Sequence, residues 1–150
     1  DVAFGGVFYG LVDADQLGLS IGPANARALA EAGIAIRDDL ARQVPVAHPL
    51  IEGLDAVAYV MFRGPGPGGA VRTCTTLEPG RIDRSPCGTG SSANLACLHA
   101  RGLAGVGDRR TSVSTIGGTF TAEILAETAV GPHPAILPRI TGGAWVYGRE

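Results

Sequence analysis

A cysteine lies among glycines and hydroxyl side chains in the stretch DRSPCGTGSSA, residues 83–93. Cys87 follows a proline, and a helical pattern begins a few residues later. The amides of a first helical turn have no partner within the helix, so they attract anions and favour the thiolate form of a nearby thiol. A thiol that ionises near neutral pH can take up and return a proton. The stretch therefore predicts a proton-transferring cysteine beside an anion-binding turn.

The neighbours of Cys87 complete a candidate site for a zwitterion. The amides of Gly88, Thr89 and Gly90 can hold a carboxylate. Asp83 can hold a cationic group, although an aspartate in a turn also commonly bonds its own backbone. Together these groups predict a binding site for an amino acid.

The site must be positioned by a loop, a helix and several strands. The helix is predicted over 91–102, capped by one of the hydroxyl residues at its start, and the loop before it over 79–90. A first helix is predicted over 22–33, or onward to Val44 if Gly33 does not end it. The predicted strands are 2–14, 55–64, 70–78, 110–118, 119–130 and 135–148. This order predicts an α+β fold with a mostly antiparallel sheet wrapped around a central helix.

Glycines and cysteines outside the motif also predict local structure. The pair Gly5 and Gly6 within the first strand indicates a close approach of another backbone. Cys74 and Cys97 lack flanking glycines and are predicted to be core residues. Cys87 is therefore expected to be the most accessible thiol.

Composition narrows the classes of function. The chain has 150 residues, which suits one domain or part of a larger protein, and its 45% hydrophobic residues can form a core. A net charge of -2 and 5% aromatic residues argue against nucleic acid and anionic membranes as partners. All 12 basic residues are arginines, so the chain offers no lysine for pyridoxal phosphate or for a P-loop. Three cysteines and no signal peptide predict reduced thiols in a cytoplasmic protein.

The stretch 83–93 resembles the motif around the second catalytic cysteine of the proline racemase family, which includes hydroxyproline epimerases. Segments 5–19, 114–124 and 134–148 resemble others in the second half of those enzymes. The chain thus resembles the C-terminal half of such an enzyme over 1–150. The resemblance implies one lobe of a two-lobed fold like that of diaminopimelate epimerase, with 1–20 and about 135–150 packing against the first half.

The resemblance also implies an activity and the roles of four residues. It implies that Cys87 is one of two cysteine acid/bases that racemise or epimerise proline or a hydroxyproline at Cα. It implies that Gly88 and Thr89 bind the substrate carboxylate and that Asp83 contacts its amine. No cofactor and no metal are expected. The expected partners are the amino acid and a first half or another subunit, and a homodimer is one arrangement that the resemblance allows.

Two alternatives within this resemblance stay open. The family's other cysteine lies in an MCGH-type motif that this sequence lacks, so the chain carries half a site and is expected to be inactive alone. It could instead belong to a 3-hydroxyproline dehydratase, or be a non-catalytic amino-acid-binding half domain.

Hydroxyproline epimerases also have a histidine on the strand matching 55–64, where Tyr59 and Val60 occur here, which counts against 4-hydroxyproline as substrate.

Three other classes of site are weaker predictions. GTGSSA (88–93), with Asp108 downstream, fits a dinucleotide fingerprint, but the polar segment before it is no buried parallel strand. GPGPGG (64–69) fits a similar pattern without a following helix. The three cysteines and three histidines have no zinc-ligand spacing. A nucleophilic cysteine hydrolase would need a histidine base, and the sequence singles out none.

Overall fold

The chain folds into one curled sheet of eight strands and two α-helices, and the computed structural model describes residues 1–146 and 148. The helices are α1 (Ala26–Gln43) and α2 (Gly88–Ala100). The strands are β1 (Val2–Phe4), β2 (Phe8–Asp13), β3 (Val57–Pro65), β4 (Val71–Leu77), β5 (Arg81–Ile82), β6 (Arg109–Val113), β7 (Thr119–Val130) and β8 (His133–Gly142).

The strand order follows from the connections. Seven strands pair in the order β1-β2-β3-β4-β6-β7-β8, and β5 pairs with β4 beside this path. Five pairings are antiparallel, whereas β2–β3 and β4–β6 are parallel. Each parallel pair is joined through a helix, because a crossover must carry the chain back to the start of the next strand. The predicted, mostly antiparallel α+β sheet is confirmed.

The two faces of β3 bury different residues because side chains alternate along a strand. Val60 and Phe62 belong to the core under α1, whereas Met61 belongs to the core under α2. Gly33 lets α1 lie close to β4, because a Cβ at this position would be 2.2 Å from the Oγ1 atom of Thr76. Helix α1 continues past Gly33, so the longer of the two predicted helices is correct.

Helix α2 lies inside the curl of the sheet. It contacts β1 and β2 at one end of the sheet and β7 and β8 at the other. Its sequence, GTGSSANLACLHA, contains no Asp, Glu, Lys or Arg, as suits a helix covered on several sides. The prediction of a sheet wrapped around a central helix is therefore also confirmed.

Several predicted boundaries are wrong. The strand predicted over 2–14 is the hairpin of β1 and β2, which turns at the glycine pair. Helix α2 begins at Gly88, three residues earlier than predicted. The strand predicted over 135–148 ends at Gly142, and residues 147, 149 and 150 lie outside the described part. Within 1–146 and 148, neither helix is long and apolar enough to cross a membrane.

Candidate active site

Two consecutive turns hold the loop that leads into α2. The main-chain N–H of Ser85 donates to Oδ1 of Asp83 at 2.8 Å, and the N–H of Cys87 donates to Oγ of Ser85 at 3.0 Å. The N–H of Asp83 donates to the carbonyl of Thr75 on β4 at 2.8 Å. These short-range bonds fix where the loop leaves the sheet and how Cys87 enters the helix.

Asp83 forms the side-chain-to-backbone turn that is common for aspartate, and its carboxylate can still accept a further hydrogen bond. Its Oδ1 atom is used in the turn, while Oδ2 accepts no hydrogen bond from residues 1–146 and 148. The residue is half-buried. The turn bond therefore orients the carboxylate and leaves one oxygen for a cation.

Cys87 is the N-cap of α2 and has an unusual backbone. Its φ of 66° makes it the one non-glycine residue with positive φ in the described chain. L residues with a side chain rarely adopt this conformation, and such strain costs about 1–3 kcal/mol. Strained residues are common at functional sites, so the backbone is a second indication, besides the motif, that this position has a role.

The first turn of α2 has unpaired amides. The N–H groups of Gly88, Thr89 and Gly90 donate to no acceptor within the described residues, and no side chain caps the helix. The predicted caps are wrong because Ser91 and Ser92 bond elsewhere, to the carbonyls of Pro86 and Gly88. The amides stay available to an anion, as the motif predicted.

Tyr9, on β2, is a site residue that the sequence did not indicate. Its hydroxyl lies 3.4 Å from Sγ of Cys87 and 2.7 Å from Oγ1 of Thr89. Burial raises the pKa of Tyr9 above its ordinary value, and the hydrogen bond to Cys87 raises it further. The phenol therefore keeps its proton. Since 78 positions separate Tyr9 from Cys87, only the fold brings them together.

Two further contacts support the cysteine loop. The hydroxyl of Thr73 on β4 donates to the carbonyl of Pro86 at 3.2 Å. A Cβ on Gly5 would be 2.1 Å from the carbonyl oxygen of Thr89, so only glycine lets the β1–β2 turn lie on α2. The close approach predicted for the glycine pair is thus confirmed.

The three thiols differ in burial, although not as predicted. Cys87 is 7% exposed and packs with Met61, whereas Cys97 is half-buried. The expectation that Cys87 is the most accessible thiol is therefore wrong, because β2 covers it. Cys74 is fully buried, as expected, and burial raises the pKa of its thiol.

A cavity of about 840 Å³ lies away from Cys87. It is a groove between β1, the second half of α2 and β8, and it includes Cys97 but none of the predicted site residues. Cys87 is itself buried, whereas Thr89, two residues later, is exposed.

The competing predictions do not fit this geometry. Residues 88–93 lie within α2, and the strand before them, β5, has two residues and runs antiparallel to β4. This is not the parallel strand that a dinucleotide fingerprint requires. Within the described residues, no three His, Cys, Asp or Glu side chains lie close enough to hold a metal ion.

Known proteins are similar to this chain in sequence and in fold. A family model described as proline racemase matches residues 1–150. The chain belongs to the proline racemase family. It is 55% identical over 148 residues to a 4-hydroxyproline 2-epimerase of Allorhizobium ampelinum, and 39% identical over 150 residues to the proline racemase of Clostridioides difficile. Each alignment covers 99% of this chain, but 43% and 45% of the relatives, so the chain spans less than half of their length.

Solved structures of this family match the fold closely. A probable proline racemase from Agrobacterium radiobacter K84, with bound carbonate, has a TM-score of 0.95 and 55% identity. A hydroxyproline epimerase from Agrobacterium vitis, with bound trans-4-hydroxy-L-proline, has a TM-score of 0.94 and 55% identity. Each match covers 99% of this chain and 44% and 43% of the respective structures. The chain therefore corresponds to the C-terminal half of a proline racemase-like protein.

Proposed function

We propose that residues 1–150 form one lobe of a cofactor-independent amino-acid racemase or epimerase, and that Cys87 is one of its two cysteine acid/bases. The observation that carries the proposal is the position of Cys87 at the N-cap of α2, beside three unpaired amides. The second acid/base is supplied by a first half that packs against 1–20 and about 135–150.

The substrate would bind as a zwitterion. The amides of Gly88 and Thr89 hold its carboxylate, and the half-buried carboxylate of Asp83 holds its amine. Both contacts favour loss of the Cα proton, since the amides stabilise charge that moves onto the carboxylate and the ammonium withdraws electrons. Cys87 removes or returns this proton on one face of the substrate.

We propose 4-hydroxyproline as the first substrate to test, with proline as the second. The support is that four 4-hydroxyproline 2-epimerases are 50–55% identical to this chain, whereas the proline racemase of Clostridioides difficile is 39% identical. A fifth 4-hydroxyproline 2-epimerase, from Streptosporangium roseum, is 40% identical, so identity alone does not separate the two substrates. The histidine missing near Tyr59 and Val60 remains the argument against 4-hydroxyproline. The comparison of the two substrates in one assay decides between them.

The test is exchange of the Cα proton with D₂O, followed by NMR. The protein is a chimera in which residues 1–150 follow the first half of the Allorhizobium ampelinum relative. A serine hydroxyl releases its proton far less readily than a thiol, so Cys87→Ser should lower exchange by about 10²–10⁴-fold. Cys97→Ser, on the same helix but outside the site, is the matched control. Asp83→Asn should mainly raise KM.

Each contrary outcome identifies a different error. Undiminished exchange in the Cys87→Ser chimera would exclude Cys87 as an acid/base. Loss of water from 3-hydroxyproline, without exchange of 4-hydroxyproline or proline, would identify a dehydratase. Binding of an amino acid with neither reaction would leave a non-catalytic binding lobe.

A further inference from the structure

We propose that Tyr9 is a positioning residue for Cys87, and that the hydroxyls of Tyr9 and Thr89 form a hydrogen-bond chain whose direction reverses when the thiol loses its proton. This inference rests on the proposed role of Cys87. It is carried by the contacts of one buried hydroxyl with the thiol and with a second hydroxyl.

The number of hydrogens allows two arrangements of this chain. When Cys87 is a thiol, its S–H can donate to the Tyr9 oxygen, and the Tyr9 O–H donates to Oγ1 of Thr89. When Cys87 is a thiolate, it can only accept, so the Tyr9 O–H turns to Sγ and the Thr89 O–H donates to Tyr9. Both arrangements use the same heavy-atom distances, 3.4 Å and 2.7 Å. No heavy atom has to move when the proton leaves for the substrate or returns.

The surroundings of Tyr9 keep this chain in place. The side chain is 1% exposed and packs with Leu11 and Met61. Its ring lies 5.7 Å from that of Tyr59, measured between centroids. Because burial keeps the phenol protonated, Tyr9 does not compete with Cys87 for the substrate proton. It supplies a buried donor to the thiolate.

The hydrogen-bond chain of Tyr9 and Thr89 also links the protonation state of Cys87 to the surface of the protein. Thr89 is exposed, and its hydroxyl has one hydrogen. In the thiol state this hydrogen is free to donate outward. In the thiolate state it is used by Tyr9. The outward donor at Thr89 is thus available only while Cys87 holds its proton.

Alkylation of Cys87 across a pH range tests the inference without an enzymatic assay. The 150-residue chain is treated with iodoacetamide between pH 6 and 10, and labelling at Cys87 is quantified by peptide mapping. Tyr9→Phe removes only the hydroxyl. A hydrogen bond to a charged group contributes about tenfold or more to an equilibrium, so labelling at pH 7 should fall about tenfold. Because only the thiolate reacts, the rates should converge as the pH approaches 10.

Tyr59→Phe is the matched control, since it removes a hydroxyl from the neighbouring ring that makes no bond to Cys87. Its pH profile should follow that of the parent chain. A Tyr9→Phe profile that superimposes on the parent would overturn the inference. So would a loss by the same factor at every pH, which would indicate changed access alone.

A double-mutant cycle tests the link through Thr89. Thr89→Val removes the hydroxyl and keeps the branched shape. If this hydrogen-bond chain operates, Thr89→Val should slow labelling at pH 7 more in the parent than in Tyr9→Phe, because Tyr9 carries most of its effect. Oγ1 of Thr89 also lies 3.9 Å from Sγ of Cys87, a longer direct contact that remains in Tyr9→Phe. If the two substitutions slowed labelling additively, the proposed hydrogen-bond chain would be contradicted.

The alkylation profile and the proposed function fail separately. If the chimera exchanges no Cα proton, the proposed function is wrong, whatever the profile of Tyr9→Phe. If the chimera exchanges it and the two profiles superimpose, the function stands and the role of Tyr9 is wrong.

Discussion

Cys87 is held through its backbone and its side chain by groups from different parts of the chain. The N–H of Cys87 donates to Ser85, its carbonyl accepts from the N–H of Ser91, and its Sγ contacts Tyr9. The backbone contacts lie within four residues of Cys87 and belong to the motif. The contact with Tyr9 comes from β2, and no local pattern in the sequence indicates it.

The buried thiol of Cys74 makes the stability of the chain depend on pH. Burial raises the pKa of its thiol, so the folded chain keeps the proton after the unfolded chain, with an ordinary thiol pKa of about 8.5, has lost it. The unfolded state then binds fewer protons, and the free energy of unfolding falls as the pH rises above about 8.5. The loss is at most about 1.4 kcal/mol per pH unit.

Cys74→Ala should therefore lose less stability than the parent chain between pH 7.5 and pH 9.5. Urea unfolding at both pH values measures the difference, and the comparison of slopes cancels the cost of the small cavity. Cys97→Ala, at the half-buried thiol, is the matched control and should retain the parent's pH dependence. Equal losses in Cys74→Ala and the parent would show that the buried thiol does not produce the slope.

At the scale of elements, the β1–β2 hairpin determines where Tyr9 meets α2. The turn of this hairpin rests on Thr89 and Ala93 through Gly5, where a Cβ would be 2.1 Å and 2.6 Å from backbone atoms of the helix. Neither backbone can move aside cheaply, because α2 is also packed against β7 and β8. The hairpin and the helix must therefore shift together or separate.

Gly5→Ala should destabilise the chain by about 1–3 kcal/mol, the usual cost of overpacking. Because the shift separates Tyr9 from Cys87, the ratio of the labelling rate of Cys87 at pH 7 to its rate at pH 10 should also fall, as in Tyr9→Phe; the ratio cancels any gain in access where β2 no longer covers the thiol. Urea unfolding and peptide mapping measure the two effects. Gly105→Ala, with no atom within 4 Å of its Cβ, is the control and should change neither. Unchanged stability in Gly5→Ala would show that the β1–β2 turn is not tightly packed against α2.

The elements were predicted as well as their local signals allowed. The strand over 119–130 is correct to the residue, since it alternates and ends at glycines on both sides. The sequence does not predict the hairpin at residues 2–13, because its turn lies within an otherwise continuous apolar run. It predicts too late a start for α2, because glycine is a poor helix former and the tertiary packing of Gly90 against Met61 overrides that preference.

At the scale of the whole molecule, the site and the apolar surfaces are both incomplete for an enzyme of the proposed kind. The candidate site holds one of the two proposed acid/bases, and Trp145 and Val146 are 90% and 87% exposed after the last strand. A large exposed aromatic residue beside an apolar one is typical of a surface that another segment covers. This agrees with the proposal that the end of the chain packs against a first half.

The 150-residue chain alone should therefore not racemise proline or epimerise 4-hydroxyproline, since one acid/base serves only one face of a planar carbanion. The chimera should do so, and polarimetry or chiral chromatography measures both. The Cys87→Ser chimera, which keeps the first half intact, controls for activity from that half alone. Turnover by the isolated chain above the solvent background would show that a second acid/base lies within residues 1–150.

At Cys87, the proposed role of the thiol and the stability of the fold favour different residues, because the φ of this position is positive. Glycine is the one residue that adopts this backbone without penalty, and glycines already flank the position on its helical side. A glycine at residue 87 would therefore relax the loop while removing the thiol. If the sulfur lost its role, the backbone would therefore favour replacement of Cys87 by glycine.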